Sequence, residues 1–179
     1  MEGTLIQADG KTVDATVDLV RQPIAAGDFL WLDLEGVDDE ASQLLRDDFG
    51  FHPLAVEDAE HFRQRPKMDD FENFTYFVVH GAKADDPSST LELHLFYSDK
   101  RIVTVHQGAQ GRLAEARARL TRHNASELTP LSVSVLYVVV DTLVDSFFPV
   151  LSVFDDASTR SRTRSSNCRP RSSSVSSST

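Results

Sequence analysis

The sequence predicts an α/β domain built on a largely antiparallel sheet. Three observations point there. Phe74 to His80, Leu91 to Tyr97 and Ile102 to His106 are successive strand-forming runs separated by short turn-forming stretches, the pattern of an antiparallel meander. Ala8-Asp9-Gly10-Lys11, set between Leu5-Ile6-Gln7 and Thr12-Val13, places Asp-Gly where a tight hairpin needs positive backbone torsions. Segments with helix entry and exit signals occupy much of what remains. With 179 residues, 40% of them apolar, the chain has enough material for one ordinary core.

Taken in order, the opening hairpin is followed by Thr16 to Ala26, which is weakly patterned and reads as a short helix or loop. Gly27-Asp28 punctuates, and Phe29-Leu30-Trp31-Leu32-Asp33-Leu34 is apolar enough for a buried strand that Gly36 ends. Asp38 then stands where a helix N-cap belongs, with Ala41, Leu44, Leu45 and Phe49 at helical spacing and Gly50 as the stop. His52-Pro53 opens a second short helix carrying Glu57, Asp58 and Glu60, since proline is welcome in a first turn. Arg63 to Lys67 reads as a loop because Pro66 disfavours helix at Arg65. The meander follows, with turns at Asp85-Asp86-Pro87-Ser88-Ser89 and Ser98-Asp99-Lys100-Arg101. Gln110 to His123 is alanine-rich and spaces Glu115 and Arg119 four apart, which predicts a helix. Thr129-Pro130 begins a stretch running to Phe154 whose valines favour a strand. Its length, about five times that of an ordinary strand, argues instead for a helix, kinked at Pro149.

Charge divides the chain. There are 18 basic and 28 acidic side chains overall, but positions 157–179 hold five arginines and no acid, so residues 1–156 carry a formal charge of −15. A surface so acidic argues against nucleic-acid phosphate as a partner and favours cations or basic partners. Cys168 is the single cysteine, so no disulfide framework is expected and a reducing cytosol fits. The amino terminus lacks the basic-then-apolar order of a secretory signal. The most apolar window, Leu131 to Val140, meets Asp141 and Asp145 before reaching the roughly 20 residues of a membrane span, so none is expected. Beyond Asp156, ten serines, five arginines and three threonines replace any apolar period, and the expectation is a disordered tail.

Two acidic constellations carry the available chemistry. In His52-Pro53-Leu54-Ala55-Val56-Glu57-Asp58-Ala59-Glu60-His61, Glu57 and Asp58 lie four and three residues before His61 and can share a face with it toward a cation. Alternatively these acids simply complement the helix dipole, worth roughly 0.3–1 kcal/mol each. Asp141 and Asp145, i,i+4 among valines and phenylalanines, repel one another, so something positive must relieve them: an arginine from elsewhere in the fold, or a hard divalent cation with oxygen ligands. Catalysis is not expected. The eight glycines form no nucleotide or phosphate loop and no nucleophile elbow appears. His80, His94 and His106 on adjacent strands can cluster, but such histidines are more often surface or hydrogen-bonded core residues.

The blocks Trp31-Leu32-Asp33-Leu34, Phe49-Gly50-Phe51-His52-Pro53-Leu54-Ala55-Val56-Glu57-Asp58, Gln64-Arg65-Pro66-Lys67 and Phe71-Glu72-Asn73-Phe74 together resemble the cytoplasmic domain of the CorA-type magnesium transport family. Leu136-Tyr137, Val140-Asp141, Leu143-Val144-Asp145 and Phe147-Phe148 are similar to the family segment that leads into its stalk helix. The likeness covers nearly all of residues 1–156. It implies a mixed sheet with helices on both faces, a funnel domain on the cytoplasmic side of the membrane, and assembly as a homopentamer beneath a pore of two carboxy-terminal membrane helices. It further implies regulatory divalent ions, Mg²⁺ with Co²⁺ or Ni²⁺ as alternatives and no organic cofactor, held between neighbouring copies by Glu57, Asp58 and Asp141; Asp145 joins this candidate set through its spacing to Asp141. A zinc-transporting relative and a soluble cation-sensing or interaction module are the alternatives. No stalk, membrane helices or Gly-Met-Asn signature follows Asp156. The expectation is a frameshift near Ala157, making residues 157–179 non-native.

Overall fold

The computed structural model describes residues 2–7, 11–86, 88–108, 111–122 and 130–154. Seven strands form one sheet in the order β2-β1-β3-β7-β6-β5-β4. They are β1 (Glu2–Ile6), β2 (Thr12–Asp14), β3 (Phe29–Glu35), β4 (Lys67–Asp70), β5 (Thr75–Ala82), β6 (Thr90–Tyr97) and β7 (Arg101–His106). Every neighbouring pair is antiparallel except β3 and β7, which run parallel with Leu30 opposite Arg101 and Glu35 opposite His106. The sheet is therefore mixed and largely antiparallel, as expected. The meander and the opening hairpin both form; the Asp9-Gly10 turn and the tail beyond Phe154 lie outside the described residues.

β4 was not expected from the sequence. Its residues Lys67-Met68-Asp69-Asp70 have poor strand propensity, but they pair with Val78 to Thr75, and at a sheet edge charged residues are at home. The helices that pack on this sheet include α1 (Val17–Val20), α2 (Asp39–Gln43), α3 (Pro53–Glu60), α4 (Gly111–Arg122) and α5 (Leu131–Asp145). Asp38 caps α2 by accepting the Ala41 amide at 2.8 Å. The chain continues from α2 into a π-helical turn, Leu44–Asp48, and stops at Gly50, whose φ of +67° favours glycine.

Alternation along β3 creates two cores. Leu30, Leu32 and Leu34 face α2 and α3 together with Phe51, Phe74, Tyr76 and Phe96; Phe29 and Trp31 face α4 and α5 together with Leu93, Leu95 and Ile102. Helices thus cover both faces, which is why β3 reads as a continuous apolar run rather than an alternating one.

α5 docks where Gly81 leaves room. A β-carbon there would stand 2.7 Å from Leu143 Cδ2 and 3.1 Å from Ser146 Oγ, and the Ser146 hydroxyl accepts the Ala82 amide at 2.7 Å. The helix breaks at Ser146 and Phe147, upstream of the expected kink at Pro149, and residues 148–154 are helical again. A proline ring clashes with the carbonyl four residues earlier, so Pro149 disrupts the turn before it while sitting comfortably near the start of the next segment. By length and composition, Leu131–Phe154 is long and apolar enough to cross a membrane, so its two aspartates do not by themselves exclude a span, contrary to the expectation from the sequence. Val135, Val139 and Leu143 on this helix nevertheless pack against the sheet as part of the core.

Candidate divalent-cation site

His52 caps α3, its Nδ1 accepting the Leu54 amide at 3.2 Å, and Pro53 occupies the first turn. Ala55, Val56 and Ala59 are buried, which turns Glu57 outward and leaves Asp58 and Glu60 at the margin. Each of these three acids has a different environment. Glu60 accepts Ser42 Oγ at 2.8 Å and the Arg46 guanidinium at 3.0 Å. Asp58 accepts Lys67 Nζ at 2.6 Å, and the same ammonium lies 2.9 Å from Asp69 and 5.3 Å above the Tyr76 ring. Asp58's hydrogen bond is the main reason the Lys67 ammonium titrates above its ordinary value, against the opposing effect of burial. Glu57 meets no basic side chain among the described residues. His61 does not join the acids as its spacing allowed: Nδ1 lies 2.8 Å from the Glu57 backbone carbonyl instead.

The loop that delivers Lys67 is held by unusual means. Arg63 adopts φ +85°, a left-handed conformation disfavoured for a residue with a β-carbon. The compensation is visible: the Arg63 amide donates to Glu92 Oε2 at 2.8 Å and the Gln64 amide to Oε1 at 2.9 Å, so two successive N–H groups grip one carboxylate. His80 Nε2 reaches the Gln64 carbonyl at 3.2 Å.

On the other face, Asp141 and Asp145 are relieved by an arginine, one of the two solutions the sequence left open. Arg119 of α4 places Nη2 2.6 Å from Asp141, Nη1 2.9 Å from Thr142 Oγ1 and Nη1 3.9 Å from Asp145. The hydrogen bond that Arg119 donates to Asp141 leads the causes that raise the Arg119 pKa. Arg119 therefore does not pair with Glu115 as the i,i+4 spacing predicted; Glu115 bonds Arg112, at 3.2 Å. Because α3 and α5 belong to opposite faces, one copy of the chain does not gather Glu57, Asp58, Asp141 and Asp145 into a single site. Among the described residues no three His, Cys, Asp or Glu side chains are placed to hold a metal ion.

A buried polar network escaped sequence reasoning. Asp33, at 0% exposure, accepts Thr104 Oγ1 at 2.5 Å, faces His106 Nε2 at 3.3 Å and lies 3.8 Å from Arg117 Nη1. Arg117 also meets Glu2 at 3.2 Å and stacks 4.6 Å over Trp31, whose indole N–H donates to Thr104. The signal was present: a lone aspartate inside the apolar run of β3 has to find partners. The three strand histidines do not cluster. His94 and His106 are buried on opposite faces and His80 holds the Gln64 carbonyl.

Comparison with known proteins agrees with this architecture. The family model described as CorA-like Mg²⁺ transporter protein matches residues 26–167. YfjQ of Bacillus subtilis is 35% identical over 141 residues, covering 78% of this chain and 43% of its own length. The cobalt/magnesium transport protein CorA of Thermotoga maritima is 28% identical over 130 residues, covering 70% of this chain and 37% of its own. The chain thus spans about two fifths of the length of these relatives. Among solved structures, full-length CmaX superposes with a TM-score of 0.74 at 18% identity, over 88% of this chain and 49% of that one. The CorA magnesium transporter of Methanocaldococcus jannaschii gives 0.67 at 11% over 96% and 53%, and the ZntB cytoplasmic domain of Vibrio parahaemolyticus 0.66 at 15% over 87% and 62%. These structural likenesses establish the fold, and the sequence matches establish the lineage: the chain belongs to the CorA-like Mg²⁺ transporter family.

Proposed function

We propose that residues 1–156 form the cytoplasmic, divalent-cation-sensing domain of a magnesium transporter that also handles cobalt, with residues 157–179 as a tail outside it. In this reading the domain is not an enzyme, sits on the cytoplasmic face of a membrane and works as a homopentamer beneath a membrane pore. Glu57 and Asp58 of α3 act with Asp141 and Asp145 of α5 where neighbouring copies meet. The observation that carries this is the state of Glu57: an exposed carboxylate on a rigid helix, adjacent to Asp58, with no basic partner among the described residues, in a chain of the CorA-like family. Separation of the two acidic pairs onto opposite faces supports a site shared between copies, because opposite faces of one copy reach each other only through a neighbour.

The physics is a change of sign. Carboxylates brought together across a boundary repel when bare and attract when a doubly charged ion sits between them, so occupancy favours the assembled state by its differential affinity. Oxygen-only donors suit Mg²⁺, which keeps several waters and binds through one or two carboxylates. A zinc-transporting relative of similar cytoplasmic fold is the second reading.

Titration of the protein with MgCl₂, followed by melting temperature and sedimentation, tests the assignment. Saturation at about ten times Kd stabilises by about 1.4 kcal/mol, and Glu57→Ala, Asp58→Ala and Asp141→Ala each reduce that response. Identical responses from wild type and all three variants would remove these residues from the site; a response to ZnCl₂ alone would favour the zinc reading.

A further inference from the structure

Each acidic pair assigned to the cation site already has a cation from its own chain. Lys67 stands 2.6 Å from Asp58 and 2.9 Å from Asp69; Arg119 stands 2.6 Å from Asp141 and 3.9 Å from Asp145. Neither basic group is free to wander. Lys67 opens β4, directly opposite Val78, and the loop before it is clamped by the Glu92 carboxylate and by His80. Arg119 rides on α4, which is anchored two residues earlier by Arg117 against Trp31, Glu2 and Asp33.

We infer that Lys67 and Arg119 are tethered competitor cations, which occupy the acids in the ion-free state and must be displaced by a divalent ion, so that they set both the concentration at which the domain responds and its indifference to monovalent ions. This rests on the cation-sensing reading of the same acids. A potassium ion offers the same unit charge as the ammonium but lacks the high effective concentration that tethering confers, so it does not displace Lys67. Mg²⁺ doubles the charge and does. The two competitors are unequal. Lysine is a point charge on a flexible stem, whereas Arg119 forks between Asp141 and Thr142, so Asp58 releases its partner at lower Mg²⁺ than Asp141.

Two measurements on the whole chain decide this. Isothermal titration with MgCl₂ in 0.1 M KCl is expected to give a midpoint about two- to fivefold lower for Lys67→Met than for wild type, the factor corresponding to removal of a part-exposed ion pair. Arg119→Met shifts the midpoint in the same direction. The second measurement needs no variant at Lys67, which is one of four lysines in the chain. Acetylation by an N-hydroxysuccinimide ester, read by mass spectrometry, is expected to rise at Lys67 when MgCl₂ is added, to stay unchanged with KCl at equal ionic strength, and to lose its Mg²⁺ dependence in Asp58→Asn. Should wild type bind Mg²⁺ while Lys67→Met binds equally or more weakly and acetylation does not change, the competitor role is overturned and the sensing role stands. Should neither wild type nor any variant bind Mg²⁺, the sensing role falls and the competitor role with it.

Discussion

His94 and His106 lie on the neighbouring strands β6 and β7, both wholly buried, each against a carboxylate, and they titrate in opposite directions. Burial depresses both. At His94 it wins over the attraction of Glu92, so the imidazole stays neutral. That form satisfies its contacts: Nε2–H donates to Glu92 at 2.9 Å, and Nδ1 accepts the Tyr76 hydroxyl, which burial, aided by Asp58 and Glu92, keeps protonated far above its ordinary range. At His106 the hydrogen bond and charge of Asp33, helped by Glu35, overcome burial and raise the pKa. The carboxylates explain the difference. Glu92 is partly exposed and its charge is already taken up by two backbone amides, whereas Asp33 is sealed from water and must draw on His106, Thr104 and Arg117. A histidine's charge here is set less by its own burial than by how much of its partner's charge remains uncommitted.

That comparison can be broken most severely at Asp33. Asp33→Ala leaves Arg117 and His106 without their buried counter-charge and is expected to cost about 3–5 kcal/mol in urea unfolding. Glu92→Ala removes a carboxylate whose partners are backbone amides near solvent and a neutral histidine, so a smaller loss of about 1–3 kcal/mol is expected. If the two losses are equal, the account of uncommitted charge is wrong.

The subtlest effect lies in pH. A raised folded-state pKa means that His106 contributes stability fully present below its unfolded value, about 6.5, and lost as pH rises through the folded value. For His94 the sign reverses. Its folded pKa is lowered, so the unfolded chain takes up a proton that the native state refuses, and stability falls as pH drops below about 6.5. One proton limits either slope to about 1.4 kcal/mol per pH unit. Stability measured between pH 5 and 8 is therefore expected to lose its decline on the alkaline side in His106→Gln and part of its decline on the acid side in His94→Gln. The opposite assignment of limbs would refute both.

The same inequality of partners separates the two acidic pairs. Asp58 shares a lysine with Asp69, while Asp141 has a forked arginine that Thr142 also orients. Local signals in the sequence exposed the acids because charge and spacing are one-dimensional properties. They did not expose Lys67 or Arg119 as partners, since Lys67 reaches Asp58 only after the loop has closed onto Glu92, and Arg119 abandons its helical neighbour Glu115 for a residue 22 positions away.

By itself, the sequence determined the order and kind of most elements: the meander from alternation and turns, α2 from the Asp38 cap, α3 from His52-Pro53, and the family from its ordered motif blocks. It also determined that Asp141 and Asp145 need a positive neighbour. Tertiary structure alone decided that β3 and β7 run parallel at the centre of the sheet, that Lys67 to Asp70 makes an edge strand, and that the acidic pairs fall on opposite faces. The reason is physical. Backbone propensity, capping and hydrophobic period act over a few residues and can be read along the chain, whereas strand adjacency and ion pairing depend on which distant segments the collapse of two cores brings into contact.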